Sequence, residues 1–169
     1  MNKILKHSAF LLFIVTFCYA CKMYSFTGAS IPAEAKTVSV GTFENKASLV
    51  EPTLAQLLTD ALRDKFVSQT TLDLVDQEGD LQLEGDITAY RISPIAIQGD
   101  QTAAMNRLSI TIRVKFTNLY DDTKDYEQSF TRYADYSSET DLASELTNLL
   151  EVINEALVED VFNKAVVNW

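Results

Sequence analysis

The sequence predicts an α+β two-layer sandwich: two helices packed on one face of a small, mostly antiparallel sheet, in the order β-α-β-β-β-β-α. Three observations lead there. Two segments carry apolar residues at helical spacing along a single stripe. The segments between them alternate apolar and polar residues with the period of a half-buried strand. The length of 169 residues, with 47% hydrophobic and 22% charged, fits one globular domain and excludes a disordered or collagen-like chain. Two single-stripe helices need a common surface, and one sheet face supplies it.

Residues 1–20 stand outside that domain. Lys3 and Lys6 precede Ala9 to Tyr19 (AFLLFIVTFCY), a basic segment and an apolar run with the pattern of a secretory signal. The run falls short of the roughly 20 residues a spanning helix needs. It ends in Cys18-Tyr19-Ala20-Cys21, where a small residue precedes a cysteine at the junction. This resembles a bacterial lipobox with Cys21 as the lipidated residue, although Cys18 stands where Leu is usual. Cleavage before Cys21 would leave 149 residues. With Lys3 and Lys6 lost, the net charge would move from -10 to -12. An acyl anchor contributes about 0.8 kcal/mol per buried methylene, so several chains hold a protein to a membrane durably.

Residues 21–36 read as a lipidated tether, punctuated by Gly28 and Pro32, and 37–169 as the domain. Thr37 to Phe43 alternates as a first strand. Pro52 suits the first helical position, and Leu54, Leu57, Leu58, Ala61, Leu62 and Phe66 then form a stripe ending near Ser68. Thr71 to Val75 is a short strand. Asp80 to Ile92 alternates with Leu81, Leu83, Ile87 and Ala89 on one face. Ser93 to Asn106 reads as a loop, and Arg107 to Tyr120 as the clearest strand. Leu108, Ile110, Ile112, Val114 and Phe116 line one face of that strand, while Arg113 and Lys115 line the other. Lys124 to Ala134 alternates again. From about Asp141 to Val167, apolar gaps of three and four mark a helix about 37 Å long. The pattern leaves open whether the first and last strands pair.

Catalytic signals are sparse, and no enzyme is expected. The single histidine, His7, lies in the cleaved segment. The mature chain would therefore lack Ser-His-Asp chemistry and every histidine-dependent metal site. Five glycines form no phosphate loop, and no cofactor is expected. Asp73, Asp76, Glu78 and Asp80 gather around Gly79, with the pattern of a solvated turn and without the spacing of a helix-loop-helix calcium site. A net charge of -10 excludes nucleic acid as a partner held by bulk charge. Arg113 and Lys115 on the polar face, with Arg91, Arg107 and Arg132 near strand ends, are candidate contacts for an acidic lipid. Cross-strand ion pairs of Arg113 and Lys115 with Glu84 and Asp86 are the simpler alternative. Ile95, Ile97 and Met105 make the Ser93 to Asn106 loop apolar enough for partner contact.

Taken together, Tyr24 to Pro32 (YSFTGASIP), Thr37 to Phe43, and Pro94 onward (PIAIQGDQTAAMNRLSITIRVKF) resemble the lipopolysaccharide-assembly lipoprotein family, LptE, in its Bacteroidetes form. Gln128 to Tyr136 (QSFTRYADY) and Val161 to Trp169 (VFNKAVVNW) extend the resemblance to the C-terminus. None of these segments is a catalytic motif. The resemblance implies an outer-membrane lipoprotein in the periplasmic leaflet, seated as a plug in the large β-barrel that inserts lipopolysaccharide into the outer leaflet. It also implies assistance in barrel assembly and contact with lipopolysaccharide. The absence of an acidic run in Lys22-Met23-Tyr24-Ser25 agrees with the periplasmic leaflet. The alternative is a lipoprotein accessory or scaffold of a different cell-envelope transport system, since fold does not fix function.

Overall fold

The computed structural model describes residues 31–49, 51–95 and 104–166, so the leader, Cys21 and Ile97 lie outside the described residues. The chain runs through β1 (Thr37–Val40), β2 (Glu44–Asn45), α1 (Leu54–Gln69), β3 (Asp73–Val75) and β4 (Leu81–Ile95). It continues through β5 (Met105–Asn118), a 3-10 turn (Asp122–Lys124), β6 (Tyr126–Ser137) and α2 (Leu142–Val166). The sheet order is β3-β1-β4-β5-β6, with β2 beside β4. The first strand thus lies inside the sheet and the last at its edge, and the two do not pair. The β1–β3 pairing is parallel because α1 carries the chain back across the sheet. β1 and β2 also pair in parallel with β4, while β4, β5 and β6 form an antiparallel meander.

Both helices cover one face, as the stripes predict. Leu54, Leu58, Leu62 and Phe66 of α1 and Ile153, Leu157 and Val161 of α2 meet Val38, Leu83, Ile87, Ile110, Ile112 and Phe116 of the sheet, all essentially inaccessible. Burying side chains of this size contributes about 1.5–3 kcal/mol each. The helices run side by side in the same direction, with Asn154 opposite Leu57, Glu159 opposite Lys65 and Phe162 opposite Phe66.

Four local expectations change. The first strand stops at Val40, and the chain bends at 41–43 to seat Phe43 in the core before the short β2 resumes pairing. Helix α1 starts at Leu54, not at Pro52, with Thr53 at the N-cap position and no side-chain capping bond. The Glu51 carboxylate accepts from the Thr53 hydroxyl at 2.9 Å. Both ends of the expected loop are strand, since β4 continues to Ile95 and β5 begins at Met105, with Ile95 opposite Met105. Pro94 fits because, among the described residues, β4 has no neighbour on its other side beyond Ile87, so it sits on an edge. Finally, a bulge between Ile87 and Ala89 turns Tyr90 inward and puts Ala89 on the opposite face from Leu81, Leu83 and Ile87.

Thr59 is a fully buried polar side chain. Its hydroxyl donates to Ala55 O at 2.8 Å and accepts from the Phe43 N–H at 3.0 Å, which satisfies the bend after β1. Thr59→Val keeps the shape but orphans that buried N–H, at an expected cost of about 1–3 kcal/mol. Urea unfolding measures it, and a loss under about 0.5 kcal/mol would mean that the bend is held by other contacts.

Candidate partner and lipid-binding surface

Among the described residues, no helix covers the opposite sheet face. Strand register sets its rows: Glu84, Lys115 and Glu127 lie abreast, as do Asp86, Arg113 and Ser129, and Ser93, Arg107 and Asp135. Thr111 and Thr131 exchange a hydroxyl hydrogen bond at 2.9 Å. Arg113 and Lys115 therefore stand beside Asp86 and Glu84, as the sequence suggested. The ion pairs run differently, however. Asp86 is taken by Lys46 at 2.8 Å, and Arg113 reaches Glu127 at 3.8 Å. Together with Glu44, these residues line a shallow cleft of about 410 Å³. The Lys46 ammonium is held above its ordinary pKa chiefly by its hydrogen bond to Asp86.

Arg107 makes the strongest contact on this face. It binds Asp135 bidentately, at 2.7 and 2.9 Å, and its guanidinium lies 3.6 Å from the centroid of the Tyr133 ring. The hydrogen bonds raise the Arg107 pKa and hold the Asp135 carboxyl below its usual range. The planar fork of arginine permits both the bidentate pair and the ring contact. Tyr133 is half exposed. The β5–β6 register, with Ser109 opposite Tyr133, brings it to the same face as Arg107. Arg91 and Lys115 share the open face and make no ion pair or hydrogen bond among the described residues.

Arg132 is separated from the other four cations. It stands in the middle of β6 and not near a strand end, opposite Ile110 and therefore on the helix face. There its Nε donates to Asp160 of α2 at 2.6 Å. Ile95 and Met105, both half-buried, form the outermost described pair of the β4–β5 hairpin.

The acidic turn is more structured than a solvated loop. Asp80 Oδ2 accepts from the backbone N–H groups of Lys36 and Thr37, at 2.7 and 2.9 Å, and from the Thr37 hydroxyl at 2.9 Å. These bonds hold its pKa below the ordinary 3.8, the Lys36 N–H contributing most. Asp80 thus latches the start of β1 to the start of β4. Gly79 beside it has no room for a side chain, since a Cβ would lie 2.5 Å from Ser39 N. Among the described residues, no group of three or more His, Cys, Asp or Glu could hold a metal ion.

These carboxylates set an acid limit. Asp80, Asp135 and Glu159 are all depressed, by backbone N–H groups, by Arg107 and by Lys65 respectively. A depressed carboxyl stabilises the fold above its unfolded value, ordinarily 3.8 for Asp and 4.5 for Glu. That stability is lost as pH falls through the lower folded value. Urea midpoints are therefore expected to stay level from pH 7 to about 5 and to fall steadily below about 4.5. A midpoint that does not change down to about pH 2 would contradict these contacts.

The domain is thus an α+β sandwich with one face sealed by helices and the other presented as a polar, cation-bearing sheet. Residues 35–165 match the family model described as LptE, lipopolysaccharide-assembly, and the chain belongs to that family. The family comprises non-catalytic outer-membrane lipoproteins of lipopolysaccharide assembly that associate with the LptD barrel. No curated protein sequence matches the chain. Among solved structures, a hypothetical protein from Chlamydia trachomatis is similar at 9% identity and TM-score 0.52, covering 79% of this chain and 99% of that one. A protein from Xanthomonas campestris is similar at 12% identity and TM-score 0.50, covering 78% and 84%. At these identities the likeness is one of fold. No described helix is long and apolar enough to cross a membrane.

Proposed function

We propose that the protein is anchored through Cys21 in the periplasmic leaflet of the outer membrane. There it plugs, and assists assembly of, the β-barrel that inserts lipopolysaccharide into the outer leaflet. The family match over residues 35–165, which spans nearly the whole described domain, carries this reading. The surface chemistry supports it. The lumen of a large outer-membrane barrel is polar, and the open face offers Ser, Thr, Arg, Lys and carboxylate side chains to such a wall. At 15 residues, β4 is about 50 Å long, which exceeds the roughly 25 Å apolar band of such a barrel.

The tether joins the domain at β1, whose first residues sit beside Asp80, while the β4–β5 hairpin closes the opposite end. The hairpin therefore lies at the end of the sheet away from the point where the chain enters β1. Ile95, Ile97 and Met105 are proposed to contact the barrel there. Arg91 and Arg107, near the same end, are the proposed contacts for lipopolysaccharide phosphates. Arg113 and Lys115 extend that surface toward the middle of the sheet. Arg132, committed to Asp160 on the other face, contributes through the helix layer.

The test is affinity capture of the tagged, anchored chain from detergent-solubilised outer membranes. A near-stoichiometric large β-barrel is expected with the wild type. Recovery of the chain alone, or with an inner-membrane transporter, would move the function to an accessory role in another envelope system.

A further inference from the structure

From the helix layer we infer that the groove between α1 and α2 seats a basic, amphipathic segment of the barrel partner. The inference rests on the barrel reading above and adds a second interface to it. The groove encloses about 660 Å³ on the side of the helices away from the sheet. Its apolar wall is Leu57, Ala61, Leu150 and Val158, and Leu57 is 47% exposed although it lies on the helical stripe.

Its rim is acidic. Asp64, Glu151, Glu155 and Glu159 face a single cation, Lys65, which is already paired with Glu159. Asp64, Glu151 and Glu155 have no ion pair or hydrogen bond among the described residues. Glu151, Glu155 and Glu159 succeed one another at i, i+4, where like charges repel and weaken the helix that carries them. An apposed row of Lys or Arg would turn that repulsion into attraction. Asn154, between them, donates Nδ2 to Leu57 O at 3.3 Å and leaves its buried Oδ1 without a partner, so the wall also lacks a donor.

An apolar floor between carboxylate rows suits a segment with apolar side chains on one face and cations beside them. A second copy of this chain fits poorly, because its net charge is also strongly negative. Lipid phosphates would meet the same carboxylates and be repelled.

The experiment places a photo-crosslinking residue at Leu57 in the full anchored chain, with a second probe at Thr131 on the open sheet face, and identifies linked peptides by mass spectrometry. The expected product from Leu57 is a barrel peptide carrying Lys or Arg. Glu151→Lys with Glu155→Lys is expected to cut its yield about tenfold or more while the Thr131 product persists. The same double variant should melt no lower than wild type, since 151 and 155 merely exchange one like-charge pair for another while Lys at 155 turns its repulsion with Glu159 into attraction, so lost capture is not lost folding. An unchanged yield in the double variant, or a Leu57 product that is a second copy of this chain or a lipid, overturns the inference. Barrel captured from Thr131 but not from Leu57 overturns it and leaves the barrel reading standing. Barrel captured from neither overturns both.

Discussion

Gly85→Ala is expected to destabilise the domain by about 3 kcal/mol, at the upper end of ordinary overpacking, and Gly85→Val by more. Gly85 lies in β4 beneath the buried Phe43 ring. A Cβ there would sit 2.4 Å from Phe43 Cε1 and 2.5 Å from the Arg113 carbonyl oxygen. The ring could move only by vacating the core. The carbonyl belongs to the adjacent β5 ladder and cannot move without breaking it. Phe43→Leu should therefore rescue Gly85→Ala only in part. Gly41→Ala is the control: its nearest neighbour, Leu83 O, is 3.5 Å away, so the effect should be within about 0.5 kcal/mol of zero. Urea unfolding of these four variants is the measurement, and equal losses at Gly41 and Gly85 would contradict the seating of Phe43 described above.

Phe66→Ala is expected to cost about 3–5 kcal/mol, a large fraction of the 5–15 kcal/mol typical of a whole domain. Phe66 is wholly buried in the last turns of α1, and its ring meets Phe162 of α2 edge-on at 5.2 Å between centroids. The pair sets how closely the helices approach, and so the width of the groove beside Lys65 and Glu159. Removing the ring leaves a cavity under three elements, and relaxation around it would also disturb the groove. Differential scanning calorimetry should show a fall in Tm of roughly 10 °C or more. A loss below about 1 kcal/mol would mean that the helices are held apart from each other and only by the sheet.

The layers of the fold were legible because periodicity reports burial. The stripe of α1 and the alternation of β5 each translate into one covered face, and Leu54, Leu58, Leu62 and Phe66 are buried as their spacing predicts. Leu57 belongs to the same stripe yet lines the groove, because spacing specifies a side of the helix and not where its neighbour ends. Ala89 was placed on the wrong face because a bulge shifts register by one residue and leaves no mark in a polar-apolar alternation. The extension of β4 through Pro94 was masked for a related reason: proline breaks a ladder in a central strand but not at an edge, and edges are a property of the assembled sheet.

The site was less legible than the layers. Arg113 and Lys115 were placed correctly beside Asp86 and Glu84, since facing strands must oppose something. Arg132 read as a lipid contact near a strand end, but it stands mid-strand, and the alternation that carries Tyr126 and Phe130 inward carries Arg132 with them, where Asp160 receives it. Asp80 read as one acid among several in a turn. Its role as the latch of β1 comes from backbone N–H groups more than 40 residues away in sequence, which composition does not reveal.

If the proposed function holds, lipopolysaccharide reaches the cell surface through a barrel that needs this chain. The most direct measurement depletes the protein from the cells that make it and follows two quantities together: lipopolysaccharide accessible at the cell surface, and folded barrel in the outer membrane. Both are expected to fall, and to be restored by the wild-type chain but not by Cys21→Ser. Surface lipopolysaccharide and folded barrel that both hold steady through depletion would contradict the account.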